Sequence, residues 1–495
     1  MYSFHRSPSE SPPFYIFLSV LLFVGLGNGQ NAPLRDCLDA VCAVRGACVT
    51  YPGDLLTFAL WSKPYNLEFP VTPAAVIRPD DATGVSGAVK CAQKNGYKVQ
   101  ARSGGHSYGN YGLGGADGAV AIDLVKLKDF NMDTKTWHAS IGPALRLVEL
   151  DERLHANGGR AVTHGPCPGI GVGGHFTIGG LGPTSRMWGT SLDHVVEVEV
   201  VTADGTIQRA SKTKNADLFW ALRGAGASFG IVTEFVIRTH PEPGNVVEYT
   251  YNFDIGSQED VGALYKTWQK LVEDPKLDRR FSSIFIVHPV GSVITGVFYG
   301  TEAEFRATGI QDRLPHGDIS VTGFLGHLLR VAEEGACGLA SLPTAFYTKS
   351  RAFRNEDLLD DAAVTDIFDY LDKAGSITSP FLIIFNTEGG AVNDTPANAT
   401  AYPHRDKVMM YQSYGIGVGK VSKSTRDLID GVHERILRAA PGARSTYAGY
   451  IDGYVGQRAA EELYWAGNLP ELMEVKKTWD PKQVFRNPQS VEPAK

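Results

Sequence analysis

The sequence predicts an α+β protein of two sheet-bearing domains closed by a short C-terminal segment. Three observations lead there. At 495 residues the chain is long for a single hydrophobic core. From about residue 69 to 239, short β-branched runs alternate with helical periodicity. Pro241-Glu242-Pro243-Gly244 then breaks the chain, and longer strand-rich runs follow it.

Taken in order, residues 74–77 read as a strand and 81–95 as a helix, with Val85, Ala88, Val89 and Ala92 on one face. Residues 97–101 return to a strand. Residues 195–202 and 206–209 flank Ala203-Asp204-Gly205 as a hairpin. Asn215 is placed to cap a helix over 216–223, and 230–237 is again a strand. Beyond the break, 281–299 and 380–385 are strand-rich and 427–438 is helical. The boundaries that follow are 1–29, 30–68, 69–242, 243–445 and 446–495, with no fixed-period repeat.

Composition is that of an ordinary globular protein, 43% hydrophobic and 20% charged. A net charge of -7 without a basic run argues against nucleic acid as the main partner. His5 and Arg6, an apolar run over 14–27, and small residues Gly27 and Gly29 read as a signal peptide cut near Gln30, so a secreted chain is expected. That run is too short to span a bilayer comfortably, and no later segment reaches transmembrane length. A monomer is expected. Cys37, Cys42 and Cys48 crowd together after the signal, and Cys91 on the helix is a natural partner for one of them. Disulfides are therefore expected at Cys37 and Cys91, and two bridges among the four leave Cys167 and Cys337 over. Asn398 heads a glycosylation sequon, and Asn393 heads a weaker one because Pro396 follows it. The histidines lack metal-ligand spacing, so no metal is expected.

Much of the glycine, 55 residues in all, sits in two loops. One reads Arg-Ser-Gly-Gly-His-Ser-Tyr-Gly over 102–109, the other Cys-Pro-Gly-Ile-Gly-Val-Gly-Gly-His-Phe over 167–176. The second contains Gly169-x-Gly171-x-x-Gly174, with Asp193 further on, but a dinucleotide fingerprint needs a strand before it and a helix after it. Pro166 and Pro168 precede it and Gly179, Gly180, Gly182 and Pro183 follow, so no helix is expected and the match is set aside. Such loops can instead bring bare backbone N–H groups against a flavin and its pyrophosphate. Bonds from His106 and Cys167 to that flavin would raise its potential. On composition alone, His106 also fits a turn histidine, and Cys167 a buried thiol or half-cystine.

The two loops resemble the bicovalent FAD-attachment loops of the berberine-bridge-like branch of the vanillyl-alcohol oxidase (p-cresol methylhydroxylase-type) flavoproteins. Trp-Asp-Pro-Lys-Gln-Val-Phe-Arg-Asn-Pro-Gln-Ser-Val over 479–491 resembles that branch's terminal signature, and Asn-Ala-Asp-Leu-Phe-Trp-Ala-Leu-Arg-Gly-Ala-Gly from Asn215 is another of its stretches. Within the branch, 464–469 (Tyr-Trp-Ala-Gly-Asn-Leu) and 401–406 (Ala-Tyr-Pro-His-Arg-Asp) are most similar to secreted fungal oligosaccharide oxidases. The resemblance implies a two-part FAD-binding domain over 69–242, and a substrate domain over 243–445 whose large antiparallel sheet is covered by helices. The segment 446–495 would return to the FAD domain. It implies FAD bonded to His106 and Cys167, and lined by Arg102, Ser103, Gly104, Gly105, Ser107, Tyr108, Gly171, Gly173, Gly174, Gly180 and Ile231.

The resemblance also implies a reaction: a base takes the proton of a substrate C–OH while the carbon gives hydride to the flavin, and oxygen or another acceptor reoxidises it. The base would be a strand tyrosine, matched by Tyr450. The aspartate that assists it is matched here by Asn386, which cannot take a proton, so Glu388 or Asp452 is the replacement to look for. Tyr108 and Gln412 match sugar-contacting positions, but Leu382 and Ile384 stand where sugar oxidases carry Trp and Gln. Ile170 stands where valine accompanies fast reaction with oxygen. Two substrate readings follow, an oligosaccharide reducing end or an apolar secondary metabolite tailored by the enzyme. A non-catalytic binding protein fits poorly, because a binder has no use for a tuned flavin.

Overall fold

The computed structural model describes residues 32–43, 46, 48–254, 260–315, 317–333, 344–374 and 380–495. The expected signal peptide and Cys337 lie outside them. The first sheet runs, in space, Val49–Thr50, Ala75–Ile77, Val120–Asp123, Val99–Arg102, the last three parallel. Both faces of its central strands are buried, as the uninterrupted apolar runs require. The helix Ala82–Lys94 is capped by the Asp81 carboxylate, which accepts from Gly84 N–H, and buries Val85, Ala88, Val89 and Ala92. The bridge Cys37–Cys91 holds the helix Ala32–Cys42 against it, and Cys42–Cys48 joins that helix's end to the start of the edge strand. Val49–Thr50 is an edge strand of this sheet, and the helix Ala32–Cys42 packs on Ala82–Lys94.

The second sheet is antiparallel in the order Phe130–Asp133, His138–Ile141, Ile231–Arg238, Val195–Val201, Ile207–Ser211, and includes the hairpin read from 195–209. The helix Ala216–Ala225 follows, but Asn215 does not cap it through its side chain. Asn215 takes the left-handed conformation and its amide donates to the Arg209 carbonyl, so it closes the turn before the helix.

The third sheet has seven antiparallel strands in the order Asp318–Gly323, Asn245–Asp254, Gly291–Tyr299, Phe281–His288, Phe381–Thr387, Met409–Gly417, Ala345–Phe353. Alternate residues point to opposite faces. Phe281, Phe285, Ile383, Phe385 and Tyr411 join the core beneath the helices Val261–Glu273, Asp361–Ala374 and Lys423–Ala439. Ile284, Ile286, Leu382, Ile384, Asn386 and Gln412 point the other way, into a cavity. The C-terminal helices Gln457–Trp465 and Leu469–Trp479 return to the second sheet's core, where Trp465 Nε1 donates to the Gly224 carbonyl, 3.0 Å. Residues 446–495 thus pack on the first half of the chain. Among the described residues no helix is long and apolar enough to cross a membrane.

Candidate active site

The cavity left between the glycine loops and the third sheet has a volume of about 1050 Å³, and both His106 and Cys167 line it. The loops cross backbone to backbone. A Cβ on Gly104 would lie 2.2 Å from Gly171 N, and one on Gly171 2.0 Å from Ser103 Oγ, so neither position admits a side chain. Gly174 faces open space, so the wall there is bare backbone. Contrary to the sequence reading, a helix does form across these glycines, Val172–Ile178. Ser103 Oγ accepts from Gly173 N–H and Gly171 stands at its start in extended conformation, which supplies the anchoring the flanking prolines and glycines withhold. The dinucleotide fingerprint still fails: no strand leads into the helix, and Asp193 forms a bidentate pair with Arg405 at 2.7 and 2.8 Å.

These walls fit a flavin dinucleotide. Tyr111 Oη lies buried and without a hydrogen-bond partner beside the cavity, an orphaned polar atom that a polar ligand would satisfy. Burial, reinforced by the Arg146 charge, lowers the His106 pKa to about 4, so its imidazole is neutral and has a lone pair to bond with. Arg146 Nη1 donates to the Gly169 carbonyl at 2.8 Å and fixes the second loop from outside it. Arg102, Ser103, Gly105, Ser107, Tyr108, Gly173 and Ile231 line the cavity. Gly180 is not among its lining residues; its N–H donates to Tyr447 Oη, 3.0 Å, so it positions a wall tyrosine. Tyr111 and Arg146 were not singled out from the sequence, because a lone tyrosine and a lone arginine carry no pattern. Cys167 is disulfide-bonded in this structure.

The opposite wall carries the polar groups. Tyr450 sits in a turn, its N–H bonded to the Tyr447 carbonyl at 2.9 Å, and not on the strand the sequence reading gave it. Its ring stands edge-on to Tyr447 at 5.1 Å. Burial holds its phenol well above the ordinary tyrosine range, and a hydrogen bond from Gln412 works against that. Gln412 is fixed on both sides. Its Oε1 accepts from Tyr414 Oη, which is 2.7 Å from Tyr108 Oη, and its Nε2 reaches Asn386 Oδ1 at 3.5 Å. Tyr108 and Gln412 are therefore parts of one internal network and hold few hydrogen-bonding valences for a ligand.

Glu388 lines the cavity, and burial raises its carboxyl from 4.5 to about 8 against the opposing pull of Arg186. Arg186 donates to the Glu388 backbone carbonyl and to the Phe281 carbonyl, which ties the 185–188 helix to the third sheet. Asp452 is not brought in: it pairs with Lys349 at 2.7 Å and is absent from the lining. Leu382, Ile384 and Ile170 all face the cavity. Asn393 and Asn398 are exposed.

With this geometry the comparisons agree. Residues 73–211 match the family described as FAD binding domain, and residues 446–492 the one described as berberine and berberine like. The FAD-linked oxidoreductase sorD of Penicillium rubens is 36% identical over 464 residues, 92% of this chain and 98% of that protein. The carbohydrate oxidase of Microdochium nivale, solved with a substrate analogue, shares the fold at a TM-score of 0.85 and 30% identity, over 94% of this chain and 100% of that one. The glucooligosaccharide oxidase of Acremonium strictum, described with a 6-S-cysteinyl, 8α-N1-histidyl FAD, matches at a TM-score of 0.84 and 27% identity over 93% of this chain and 99% of that one. The chain belongs to the berberine-bridge-like FAD-linked oxidoreductases, flavoenzymes acting on CH–OH groups.

Proposed function

We propose that this is a secreted oxidoreductase that carries FAD bonded to both His106 and Cys167 and oxidises a C–OH on a largely apolar small molecule. The observation that carries the substrate class is the sheet face opposite the loops, where Leu382, Ile384, Ile284 and Ile286 line the cavity. Aliphatic walls reward apolar burial, at about 25 cal/mol per Å², and give a sugar hydroxyl nothing to bond to. Tyr108 and Gln412, the matches to sugar-contacting positions, are taken up by Tyr414, Asn386 and Tyr450.

FAD, when bound, supplies the two-electron acceptor, and the chain does the rest. Tyr450, oriented by the Gln412 amide, takes the hydroxyl proton as it passes its own phenol proton on. Asn386 holds Gln412 and cannot take a proton, so the ionised form of Glu388, populated as pH rises toward about 8, is the proton's further destination. Ile170 narrows the approach for oxygen or another acceptor.

A sulfur can form one bond of this kind, to the flavin or to another cysteine. Peptide mass spectrometry of the purified full chain therefore tests the attachment. Flavin mass on both the His106 and the Cys167 peptides is expected, with either His106→Ala or Cys167→Ala retaining one bond. A Cys167 peptide recovered only as a disulfide refutes bicovalent attachment. Screening with an artificial electron acceptor then separates the substrate classes, and turnover of cello-, chito- or xylo-oligosaccharides, but of no apolar alcohol, refutes the apolar reading.

A further inference from the structure

Resting on that reading of the cavity, the register of the third sheet shows what kind of apolar molecule fits. From Gln412 the row of facing residues runs Ile384, Ile286, Val293, Asn252. The neighbouring row runs Asn386, Ile284, Thr295, Thr250. An aliphatic stripe thus lies between two polar borders. The far border ends at Glu248, four strand steps across from Gln412 and four residues along the strand from Asn252, so the diagonal between them is roughly 23 Å at about 4.8 Å a step and about 3.3 Å a residue.

There Glu248 accepts from Ser320 Oγ at 3.0 Å and is hydrogen-bonded to His327 Nδ1. His327 stands on the helix Phe324–Glu333, is 4% exposed and lines the same cavity, and among the described residues its Nε2 has no hydrogen-bond partner. Tyr299, whose ring stands edge-on to His327 at 6.2 Å, also has an unpartnered buried hydroxyl. Buried polar atoms in native folds are ordinarily paired, so an orphan on a cavity wall marks the place of a ligand atom. With Nδ1 engaged by the carboxylate, the imidazole presents Nε2 to the cavity as a second anchor.

We propose that the cavity takes an elongated, apolar-bodied molecule with two hydroxyl-bearing ends. One end is the reacting C–OH beside Tyr450 and Gln412, the other a hydroxyl held by His327 Nε2. A lone apolar body would leave His327 unsatisfied, and a sugar chain would leave the aliphatic stripe without a partner.

Calorimetric titration of flavin-loaded Tyr450→Phe protein with 1-alkanols, α,ω-alkanediols and ω-methoxy-1-alkanols of matched length tests this without turnover. Alkanol affinity should rise about fourfold per methylene. Diols long enough to cross the stripe should bind roughly tenfold tighter than the matching alkanol. The methoxy compounds, which cannot donate, should bind like alkanols, and His327→Leu should erase the diol advantage. A diol advantage that survives His327→Leu, or methoxy ligands that bind like diols, overturns the anchor. Affinity independent of chain length overturns the stripe. The methoxy arm needs no further variant, so a misfolded His327→Leu leaves the test intact. Wild-type flavin reduction by the same diols is read separately: tight binding without reduction sinks the C–OH reaction and leaves the anchor standing.

Discussion

Glu388 is 6% exposed, and its carboxyl is raised from 4.5 to about 8 by burial, with Arg186 only partly offsetting the effect. That preference for the neutral acid is worth about 5 kcal/mol. The unfolded chain ionises this group near its ordinary value, whereas the folded chain keeps the proton until about pH 8. Folding therefore takes up a proton between those limits, and the contribution to stability falls as pH rises through that window and is level outside it. At pH 7 the cost is about 3 kcal/mol. Glu388→Gln keeps the shape and the neutral form. The variant should match the parent near pH 5 and exceed it by several degrees in Tm near pH 8, on the order of 3–5 kcal/mol. The same substitution should remove the limb of the flavin-reduction pH profile that rises toward pH 8, since only the ionised acid can take Tyr450's proton. Thermal unfolding and stopped-flow reduction, each run from pH 5 to 9, measure both. Parallel stability curves for the two proteins would refute a protonated Glu388, and an unchanged reduction profile would remove it from the proton path.

Two further outcomes follow from the cavity walls. Tyr450→Phe should slow flavin reduction by roughly two to four orders of magnitude with the flavin still bound, measured by anaerobic stopped-flow absorbance; near-normal reduction excludes it as the base. Ile170→Val, which removes one methylene from the cavity wall, should speed reoxidation by dissolved oxygen and lose no more than about 1 kcal/mol of stability. An oxygen rate equal to the parent's would retire Ile170 as the gate.

Much of this was legible because local chemistry is strong where it matters. The helix over 82–94 was readable from its apolar face, the strands from β-branched runs, and the close backbone approach of the two loops from their glycines. The failures share a cause. The helix Val172–Ile178 forms against local signals because Ser103, from the other loop, bonds to it. Asn215 was misread as a cap because its partner, the Arg209 carbonyl, comes from the preceding strand. Asp452 looked available until folding brought Lys349 to it from 103 residues away. Tyr450's motif was visible, while its place in a turn depended on the contact with Tyr447.

The sequence by itself determined the α+β layout, the cysteine cluster near the N-terminus and the glycine density of the two loops, since each rests on neighbours in the chain or on the glycines a close approach requires. Only the tertiary structure decided which polar groups are free to act. Gln412 and Tyr108 spend their hydrogen bonds on Tyr414 and Asn386, Glu388 keeps its proton because nothing buried beside it fully offsets desolvation, and His327 is left with an open nitrogen. Hydrogen-bond saturation and burial are properties of what folding packs around a side chain, and residues far apart in sequence set both.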